Sequence, residues 1–543
     1  MFCYQCEQTM KGTGCTKIGI CGKDAETAAC LDLLTEWTKA LGWYARRARK
    51  AGLNLGDLDA FVYESLFTTV TNVNFDPARI APLVYEARRR LGDIAVKTEK
   101  NAKVPLAAPA FSLPPEPAKD IAGLVAQGEA LGIEARLSRE GADITGLREL
   151  IYYGLKGAAA YMHHALVLGT MDAEVADSFF EILAELNEPH SVAELTGLAL
   201  KTGEVNLKVM ALLDHANTGA YGHPTPTAVR ITPKAGKAIL VSGHDLLDLE
   251  ALLRQTEGKG INIYTHGEML PAHGYPELKK YAHLAGNYGG AWQDQREEFD
   301  AFPGAILMTT NCIQRPKETY KARIFTSGPV AWPGVTHVSE RHFGPVIEAA
   351  LAAPGFARDE PEKTILVGFG HNAVLSVADK VVDAVKQGQI RRFFLIGGCD
   401  GAKSGRNYYT ELAQAVPQDC MILTLACGKY RFNKLEFGTV AGLPRLLDIG
   451  QCNDSYSAIQ IAVALAKVFD TEVNKLPLSI VLSWYEQKAV SVLLSLLHLG
   501  ITNIRIGPSL PAFVTPPVLD VLVKSFGLTP IGTVEGDLKA MLN

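Results

Sequence analysis

Hydrophobic residues recur at three- and four-residue spacing along the first part of the chain. Clear examples are residues 145–170 and 173–186, where the strand-like alternation of β-branched residues is rare. This period is typical of amphipathic helices, so the sequence predicts a helical region from about residue 24 to residue 217. Closely spaced prolines at 104–117 forbid a continuous helix there and predict two helical bundles joined by an extended linker.

The pattern changes after a glycine- and proline-rich segment at 219–226. Short apolar, β-branched runs then alternate with helical stretches, and these predicted strands are 238–242, 261–265, 305–310, 365–368, 393–396, 422–426, 479–484 and 503–506. Continuous apolar strands separated by helices predict parallel sheets covered on both faces. A charged loop at 354–361 divides this region. We therefore predict a multidomain α/β protein with an α-helical domain at 1–222 and two parallel-sheet α/β domains at 223–360 and 361–543.

Composition and charge exclude several classes of protein. The chain is 48% apolar and 20% charged, as in ordinary globular proteins. Its 53 Lys and Arg residues against 58 Asp and Glu give a net charge of −5, so a nucleic-acid partner is not expected. The longest apolar run, 489–499, is too short to span a bilayer, and the N-terminus lacks the regions of a secretory signal. We expect a cytoplasmic protein without a membrane partner.

Five of the ten cysteines lie within the first thirty residues. Thiols in a large cytoplasmic chain stay reduced, so metal binding or catalysis is favoured over disulfides. The short Cys3–Cys6 spacing aims two thiolates at one metal, and Cys15 and Cys21 return across a glycine-rich segment. Four thiolates fit an iron–sulfur cluster or a structural zinc. We favour the cluster because zinc sites more often contain two similar Cys-x2-Cys pairs; unmetallated thiols are the third interpretation. Cys30 lies on an apolar helical face and is interpreted as core.

Chemically active residues follow the predicted strands, and ligands of open parallel sheets bind beyond the carboxyl ends of the strands. These residues are His244, Glu268, Cys312, Cys399, Cys427, Glu486 and Lys488, together with Cys452 in a loop before an apolar helix. Cys420 lies before its predicted strand and is interpreted as core. Taken alone, a His or Glu at such a position is more often a loop or helix-start residue. Together, four thiolates with a His and carboxylates predict a metal assembly with soft and hard ligands, typical of iron with a position open to substrate.

In order along the chain, these motifs resemble the hybrid cluster proteins, also called prismane proteins, a family of hydroxylamine reductases. The resemblance covers essentially the whole chain and rests on Cys3-x2-Cys6-x8-Cys15-x5-Cys21 and on the strand-end motifs Gly243-His244-Asp245, His266-Gly267-Glu268, Thr310-Asn311-Cys312, Gly397-Gly398-Cys399-Asp400, Ala426-Cys427-Gly428, Gln451-Cys452-Asn453-Asp454 and Trp484-Tyr485-Glu486-Gln487-Lys488. The short N-terminal spacing is similar to that of the branch found in strict anaerobes.

The resemblance implies a fold and two cofactors. The fold would be an α-helical N-terminal domain followed by two Rossmann-like α/β domains, related to nickel carbon monoxide dehydrogenases. One [4Fe-4S] cluster would be held by Cys3, Cys6, Cys15 and Cys21. A hybrid [4Fe-2O-2S] cluster would be held by His244, Glu268, Cys312, Cys399, Cys427, Cys452 and Glu486. Cys399 matches the persulfidated cysteine of the family, and Lys488 would stand close to the cluster.

The resemblance also implies an activity, the reduction of hydroxylamine to ammonia and water. Glu268, Glu486, Lys488 and Cys399 are the expected catalytic residues: the carboxylates would loosen to open an iron, and Lys488 or a nearby His would deliver protons. A ferredoxin or an NADH-dependent reductase would donate the electrons. The alternatives are reduction of nitric oxide to N2O and the transfer of NO to partner thiols. A carbon monoxide dehydrogenase is disfavoured, because the chain lacks extra N-terminal cysteines for bridging clusters.

Overall fold

The computed structural model describes residues 1–101, 109 and 111–542, and the part of the N-terminal region that it describes is mainly helical. In chain order its helices are α1 (Ala25–Lys50), α2 (Leu58–Thr68), α3 (Pro77–Asn101), α4 (Ile121–Leu131), α5 (Ile133–Glu140), α6 (Ala142–Val167), α7 (Ala173–Glu185) and α8 (Val192–Tyr221). Of the predicted linker at 104–117, residues 104–108 and 110 lie outside the described residues. The predicted helical character of this region is confirmed.

Local sequence signals fix where these helices begin. The Asp24 carboxylate accepts a hydrogen bond of 2.8 Å from the Thr27 amide at the start of α1, and Ser191 with Glu194 forms a capping box at the start of α8. Such caps satisfy amide groups that have no partner within the helix. Helix α6 packs against α2 and α8 and is buried along most of its length. Among the described residues, no helix is long and apolar enough to cross a membrane.

A six-stranded parallel sheet follows the helical region. Its strands lie in the order β4-β3-β2-β5-β6-β7. In chain order this part of the structure contains β1 (Thr227–Arg230), β2 (Lys237–Ser242), α9 (Leu246–Thr256), β3 (Ile261–His266), α10 (Pro276–Lys279), β4 (Leu284–Asn287), α11 (Gln295–Ala301), β5 (Ala305–Met308), α12 (Glu318–Lys321), β6 (Ile324–Ser327), β7 (Thr336–Val338) and α13 (Gly344–Ala352).

A second six-stranded parallel sheet has the order β13-β10-β9-β14-β15-β16. In chain order the elements are β8 (Thr364–Val367), α14 (His371–Leu375), α15 (Ala378–Lys386), β9 (Arg392–Gly398), α16 (Asn407–Ala415), β10 (Cys420–Thr424), β11 (Thr439–Val440), β12 (Leu443–Pro444), β13 (Leu446–Asp448), α17 (Ser455–Val468), β14 (Leu478–Ser483), α18 (Gln487–His498), β15 (Ile504–Gly507), α19 (Pro516–Phe526), β16 (Thr529–Pro530) and α20 (Val534–Leu542). Helix α18 packs against α6 and α8, which joins this sheet to the helical region.

The two sheets share one topology. In each, the first strand lies in the middle, with the second and third strands on one side and the last three on the other. The strand order therefore reverses between β2 and β5 in the first sheet and between β9 and β14 in the second. Such a reversal opens a crevice at the carboxyl ends of the strands, where ligands bind in doubly wound folds. The predicted pair of Rossmann-like domains is confirmed.

Some strand predictions need correction. The run at 365–368 is not part of a parallel sheet: β8 pairs antiparallel with β1 in a separate two-stranded sheet. Leu366 is 45% exposed, so the strand is not covered on both faces as the apolar run suggested. Cys420 is the first residue of β10 rather than a residue before it, and it is fully buried. The predicted strand 305–310 ends at Met308. The hydroxyl of Thr309 donates to the Ser242 carbonyl, and that of Thr310 accepts from the His244 amide, so both residues support the turn after β2.

Candidate metal centres

The four N-terminal cysteines lie on a loop that folds back on itself. Cys3 and Cys15 face each other in an antiparallel bridge, with N–H···O distances of 3.0 and 2.8 Å. The Cys15 sulfur accepts a hydrogen bond of 3.4 Å from the Met10 amide. Cys6 and Cys15 are buried, whereas Cys3 and Cys21 are half-buried. The loop thus gathers the four thiols close to the protein surface.

Cys3 and Cys6 are costly to ionise without a bound cation. Burial raises the pKa of Cys3 to about 12, although the nearby Lys23 ammonium lowers it in part. Burial, followed by the charges of Cys21 and Cys3, raises the pKa of Cys6 well above its ordinary value. Metal ions reverse this preference, because a coordinating thiol is deprotonated outright. The donor set therefore fits a cofactor that brings several positive charges.

The N-terminal thiols do not form a compact group of donors. Zinc–sulfur bonds of about 2.3 Å in a tetrahedron hold the sulfur atoms about 3.8 Å apart. Among the described residues, the group of three donor atoms within 4.8 Å of one another is His244, Glu268 and Cys452, and it includes none of the N-terminal thiols.

The second group of ligand candidates lies where the crevices of the two sheets meet. Glycines of positive φ place two of them: Gly243 (φ 114°) precedes His244, and Gly398 (φ 103°) precedes Cys399. A Cβ atom at position 398 would lie 2.1 Å from the Ser483 carbonyl oxygen. Only glycine fits so close an approach with this backbone conformation. The turn after β9 therefore requires glycine in order to present the Cys399 thiol.

Two further ligand candidates lie on backbone that is strained for residues other than glycine. Cys312 itself has a φ of 79°, and Ala426, directly before Cys427, has a φ of 62°. Such conformations cost on the order of 1–3 kcal/mol each and persist where the surrounding structure enforces them. They cluster at functional sites, so this strain agrees with a site that dictates the direction of the thiols.

The structure brings all seven predicted ligands of the second centre together. His244 Nε2 lies 4.0 Å from Glu268 Oε2, and both groups lie within 4.8 Å of the Cys452 sulfur. The Cys399 sulfur lies 3.8 Å from Glu486 Oε1. The thiol of Cys427 completes the group: the charges of Glu268, Cys312, Cys399 and Cys452 all act on it. Cys30 and Cys420 lie elsewhere, each in a hydrophobic core.

His244 is fixed in the form that binds metal. Its Nε2 is 3.1 Å from the Lys488 ammonium, and its Nδ1 is 3.0 Å from the Thr310 hydroxyl. Because an ammonium can only donate, Nε2 accepts and Nδ1 carries the ring proton. Burial, together with the charges of Lys488 and His164, holds the pKa of His244 well below its usual range. The ring is therefore neutral, and its Nε2 lone pair, which here accepts from Lys488, would bind a metal only after the ammonium moves aside.

Lys488 is a fully buried cation in the middle of the site. It donates a hydrogen bond of 2.8 Å to Asn311 Oδ1, and the Asn311 amide in turn lies 3.3 Å from the Cys312 sulfur. Burial alone would lower the pKa of Lys488. The negative charges of Cys452 and Glu486 outweigh burial, so the pKa is raised above its ordinary value. Lys488 therefore stays protonated among the acidic groups.

The two carboxylates are held differently: Glu268 at one oxygen, and Glu486 at both, since its Oε1 also accepts from the Cys399 thiol at 3.8 Å. Glu268 Oε2 accepts a hydrogen bond of 2.9 Å from the Cys452 amide, while its Oε1 is buried and has no partner among the described atoms. Glu486 Oε2 accepts a hydrogen bond of 3.0 Å from the Lys488 amide. Burial raises the pKa of both carboxyls, and lysine ammonium groups counter it in part. An unpartnered buried oxygen is unfavourable, so its position among thiols fits a metal ligand.

Tyr161 on α6 is a neighbour of the site that the sequence did not reveal. Its hydroxyl is buried, lacks a hydrogen-bond partner among the described oxygen and nitrogen atoms, and faces the thiol of Cys452. The hydroxyl lowers the pKa of Cys452, although burial raises that pKa to about 12 overall. No motif in the helical region marks this residue. Hydrogen bonds to ligand sulfurs tune the reduction potential of iron–sulfur centres, so we assign Tyr161 a tuning role.

We expect Tyr161→Phe to lower the reduction potential of the second centre, because a thiolate that loses its donor is more electron-rich. Loss of such a supporting group should lower turnover by about tenfold. Redox titration followed by EPR spectroscopy checks the shift, and iron analysis checks that the centre is filled. Tyr63→Phe, at a buried tyrosine of α2, is the matched control. An unchanged potential in Tyr161→Phe would show that the hydroxyl serves packing only.

Two buried cations also escaped the sequence analysis. Lys429 donates to Asp448 Oδ1 at 2.5 Å and to the Gly450 carbonyl at 2.7 Å, joining the turn of Cys427 to that of Cys452. Arg406 donates to Glu7 Oε2 at 2.8 Å and to the Trp484 carbonyl at 3.0 Å. It thereby ties the N-terminal loop to the second sheet. Their partners are remote in sequence, so only the fold identifies them.

An aromatic pair lies near both centres. The rings of Trp292 and Tyr485 are stacked, with centroids 4.5 Å apart and planes at 27°. They share one buried cluster with Cys6 of the first centre and with Cys312 and Cys427 of the second. Trp292 is therefore both part of a buried hydrophobic cluster and a neighbour of the ligand candidates. The aromatic pair thus packs in the same cluster as cysteines of both groups.

A large apolar cavity of about 600 Å³ reaches the second centre at Cys399, Cys452 and Lys488. Its walls are mostly aliphatic and come from α17, α18 and the strands of the second sheet. Its outer lining includes Glu472 and Asn474, which are exposed at the surface. The cavity thus offers a small uncharged molecule a route between solvent and the centre.

Comparison with known proteins agrees with this arrangement. The family model described as "Prismane/CO dehydrogenase family" matches residues 1–539. Curated relatives named hydroxylamine reductase include those of Syntrophobacter fumaroxidans, 58% identical with 100% of both chains covered, and Rhodospirillum rubrum, 58% identical with 100% of this chain and 99% of the relative covered. Carbon monoxide dehydrogenase IV from Carboxydothermus hydrogenoformans has a similar fold (TM-score 0.58, 14% identity, 99% of this chain and 92% of that chain covered).

Proposed function

This chain belongs to the Prismane/CO dehydrogenase family, and from that premise we propose that it is an iron–sulfur oxidoreductase that reduces hydroxylamine to ammonia and water. One observation carries the proposal. Seven soft and hard donors converge from the crevices of both sheets around a carboxylate oxygen that has no partner among the described atoms. The full-length relatives named hydroxylamine reductase support the same reaction.

The residues divide into two proposed ligand sets. Cys3, Cys6, Cys15 and Cys21 would hold a [4Fe-4S] cluster. The hybrid [4Fe-2O-2S] cluster would be held by His244, Glu268, Cys312, Cys399, Cys427, Cys452 and Glu486. When bound, the hybrid cluster supplies electrons and an iron position for the substrate. The domains 1–222, 223–360 and 361–543 are proposed as the units that contribute these ligands.

The reaction, NH2OH + 2e⁻ + 2H⁺ → NH3 + H2O, needs protons inside a buried site. Lys488 stays charged there, and we propose that its Nζ donates a proton as the N–O bond breaks. Its contact with Asn311 holds the ammonium beside the ligand candidates. Glu268, anchored through a single oxygen, can move without breaking the backbone turn that carries it, whereas Glu486 would also give up its contact with the Cys399 thiol. Cys399, only half-buried and beside Glu486, lies where the cavity opens to the centre.

Electrons would enter at the N-terminal centre from a ferredoxin or an NADH-dependent reductase. The N-terminal loop is the more exposed of the two sites, since Cys3 and Cys21 are half-buried. The stacked Trp292 and Tyr485 pack in one cluster with cysteines of both sets of thiols. This arrangement suits a relay from the surface to the buried centre.

Reduction of nitric oxide to N2O is the second candidate, and the apolar cavity favours it. Nitric oxide is a neutral diatomic molecule that enters apolar surroundings at little cost, whereas hydroxylamine loses hydrogen bonds to water there. Steady-state assays with reduced methyl viologen separate the two reactions. With hydroxylamine we expect one ammonia per two electrons. Formation of N2O from nitric oxide, with no ammonia formed from hydroxylamine, would overturn the main proposal.

Narrowing the cavity tests whether it carries the substrate. Ala462 on α17 lines it, and Ala462→Trp should lower kcat/KM by about tenfold, or 1.4 kcal/mol, while kcat at saturation changes little. Ala464→Trp, on the same helix but outside the cavity lining, is the control. If Ala462→Trp kept the wild-type kcat/KM for both hydroxylamine and nitric oxide, substrate would have to reach the centre by another route.

A further inference from the structure

The loop that carries the N-terminal thiols also exposes two isoleucine side chains to solvent. Ile18 is 48% exposed and Ile20 is 51% exposed, and both lie between Cys15 and Cys21. Single exposed apolar residues are common. Here two lie on the loop that carries the N-terminal thiols, so apolar surface is exposed at the proposed point of electron entry. We call residues 8–23 the entry loop.

The entry loop is basic in a protein that is acidic overall. Residues 8–23 contain three lysines and neither Asp nor Glu, while the whole chain has a net charge of −5. Of the lysines, Lys11 and Lys17 are exposed. Arg315, also exposed, flanks the loop, because a Cβ atom at Gly22 would lie 3.9 Å from the Arg315 Cβ.

These cations are not used within the chain. Among the ion pairs of the described residues, none involves Lys11, Lys17 or Arg315. The carboxylate that follows the loop, Asp24, is turned to its own helix, where it accepts from the Thr27 amide. The cations are thus free to attract an acidic surface of another molecule, and such complementarity steers association.

We propose that the entry loop is the docking site of a small acidic iron–sulfur protein of the ferredoxin class. The isoleucines would form the apolar centre of the contact, and Lys11, Lys17 and Arg315 its charged rim. One electron passes per encounter: the reduced donor is oxidised by one electron, and the N-terminal centre is reduced by one, without bond changes. The inference rests on the proposed function, in which this centre receives the electrons.

The test measures reduction of the N-terminal centre in the full-length holoprotein without hydroxylamine. The probe is a reduced acidic bacterial ferredoxin with two [4Fe-4S] clusters, mixed at low ionic strength in a stopped-flow spectrometer. We expect Lys11→Glu/Lys17→Glu to lower the second-order rate constant by about tenfold, because rim charges act mainly on association. Added salt should slow the wild type more than the variant. Ile18→Ser/Ile20→Ser should weaken ferredoxin binding as well.

The controls separate docking from folding and from the proposed activity. Lys259→Glu/Lys363→Glu makes the same change in net charge at exposed lysines elsewhere, and reduction by dithionite should be equal in all variants. Equal ferredoxin rates in the entry-loop and control variants would overturn the proposal, as would a wild type that ferredoxin does not reduce. If the wild type showed no viologen-driven hydroxylamine turnover, while the entry-loop variants still slowed reduction by ferredoxin, the proposed function alone would be overturned.

Discussion

Replacing Glu268 by Gln is expected to leave the iron content nearly intact and to lower hydroxylamine turnover by about 100-fold, comparable to the loss of a supporting or acid–base group. The amide oxygen of Gln can still accept the hydrogen bond that Glu268 Oε2 now accepts from the Cys452 amide. The turn should therefore keep its shape. The lost feature is the negative charge at the buried Glu268 oxygen, for which the described part of the chain offers no partner.

Iron analysis, EPR spectroscopy and viologen-driven turnover of the same preparation check this expectation. Glu298→Gln is the matched control, because Glu298 accepts from His266 in the neighbouring turn and is not a ligand candidate. A Glu268→Gln protein with full iron and wild-type turnover would show that Glu268 is only a loop charge. The labile carboxylate would then have to be Glu486.

Changing Cys6 to Ala should abolish the EPR signal of the N-terminal centre while iron remains bound between the two sheets. The two ligand sets come from different parts of the chain, and the second uses no N-terminal cysteine. Turnover with a ferredoxin as the electron donor should fall to a few per cent or less, about a 100-fold loss, as expected when a relay loses a ligand. Metal analysis of each preparation, with EPR spectra of oxidised and reduced samples, measures the outcome.

The control for this variant must allow for contacts between the loop and the second sheet. Glu7, next to Cys6, accepts from Arg406, so a collapsed loop would disturb both centres. Cys30→Ala removes a buried thiol of α1 outside both sites and reports the cost of losing a core cysteine. Loss of both iron centres in a Cys6→Ala protein that remains folded would contradict the division into two sites.

The predicted ligands of the second centre lie close together because of one property of parallel sheets. Side chains that follow different strands meet at one edge when the strands run in the same direction. His244 and Cys312 follow β2 and β5, which are adjacent, and Cys399 and Glu486 follow β9 and β14, which are also adjacent. Apolar runs were enough to find these strands, although their ends shifted by one or two residues.

The surroundings of the centre were not predictable in the same way. Tyr161 comes from a helix of the N-terminal region, and Arg406 binds a carboxylate that is 399 residues away in sequence. Such contacts depend on how helices and sheets pack, and the spacing of residues within one segment of the sequence does not reveal that packing. The antiparallel pairing of β8 was missed for a related reason: an apolar run does not reveal which strand it will join.

Anomalous diffraction at the iron edge, from crystals of the anaerobically prepared protein, tests the central claim most directly. The account predicts two separate groups of iron atoms. One should lie among Cys3, Cys6, Cys15 and Cys21, and the other should be bound by sulfur, His244 Nε2 and the carboxylates of Glu268 and Glu486. Zinc at the N-terminal thiols, or a map without iron between the two sheets, would contradict it.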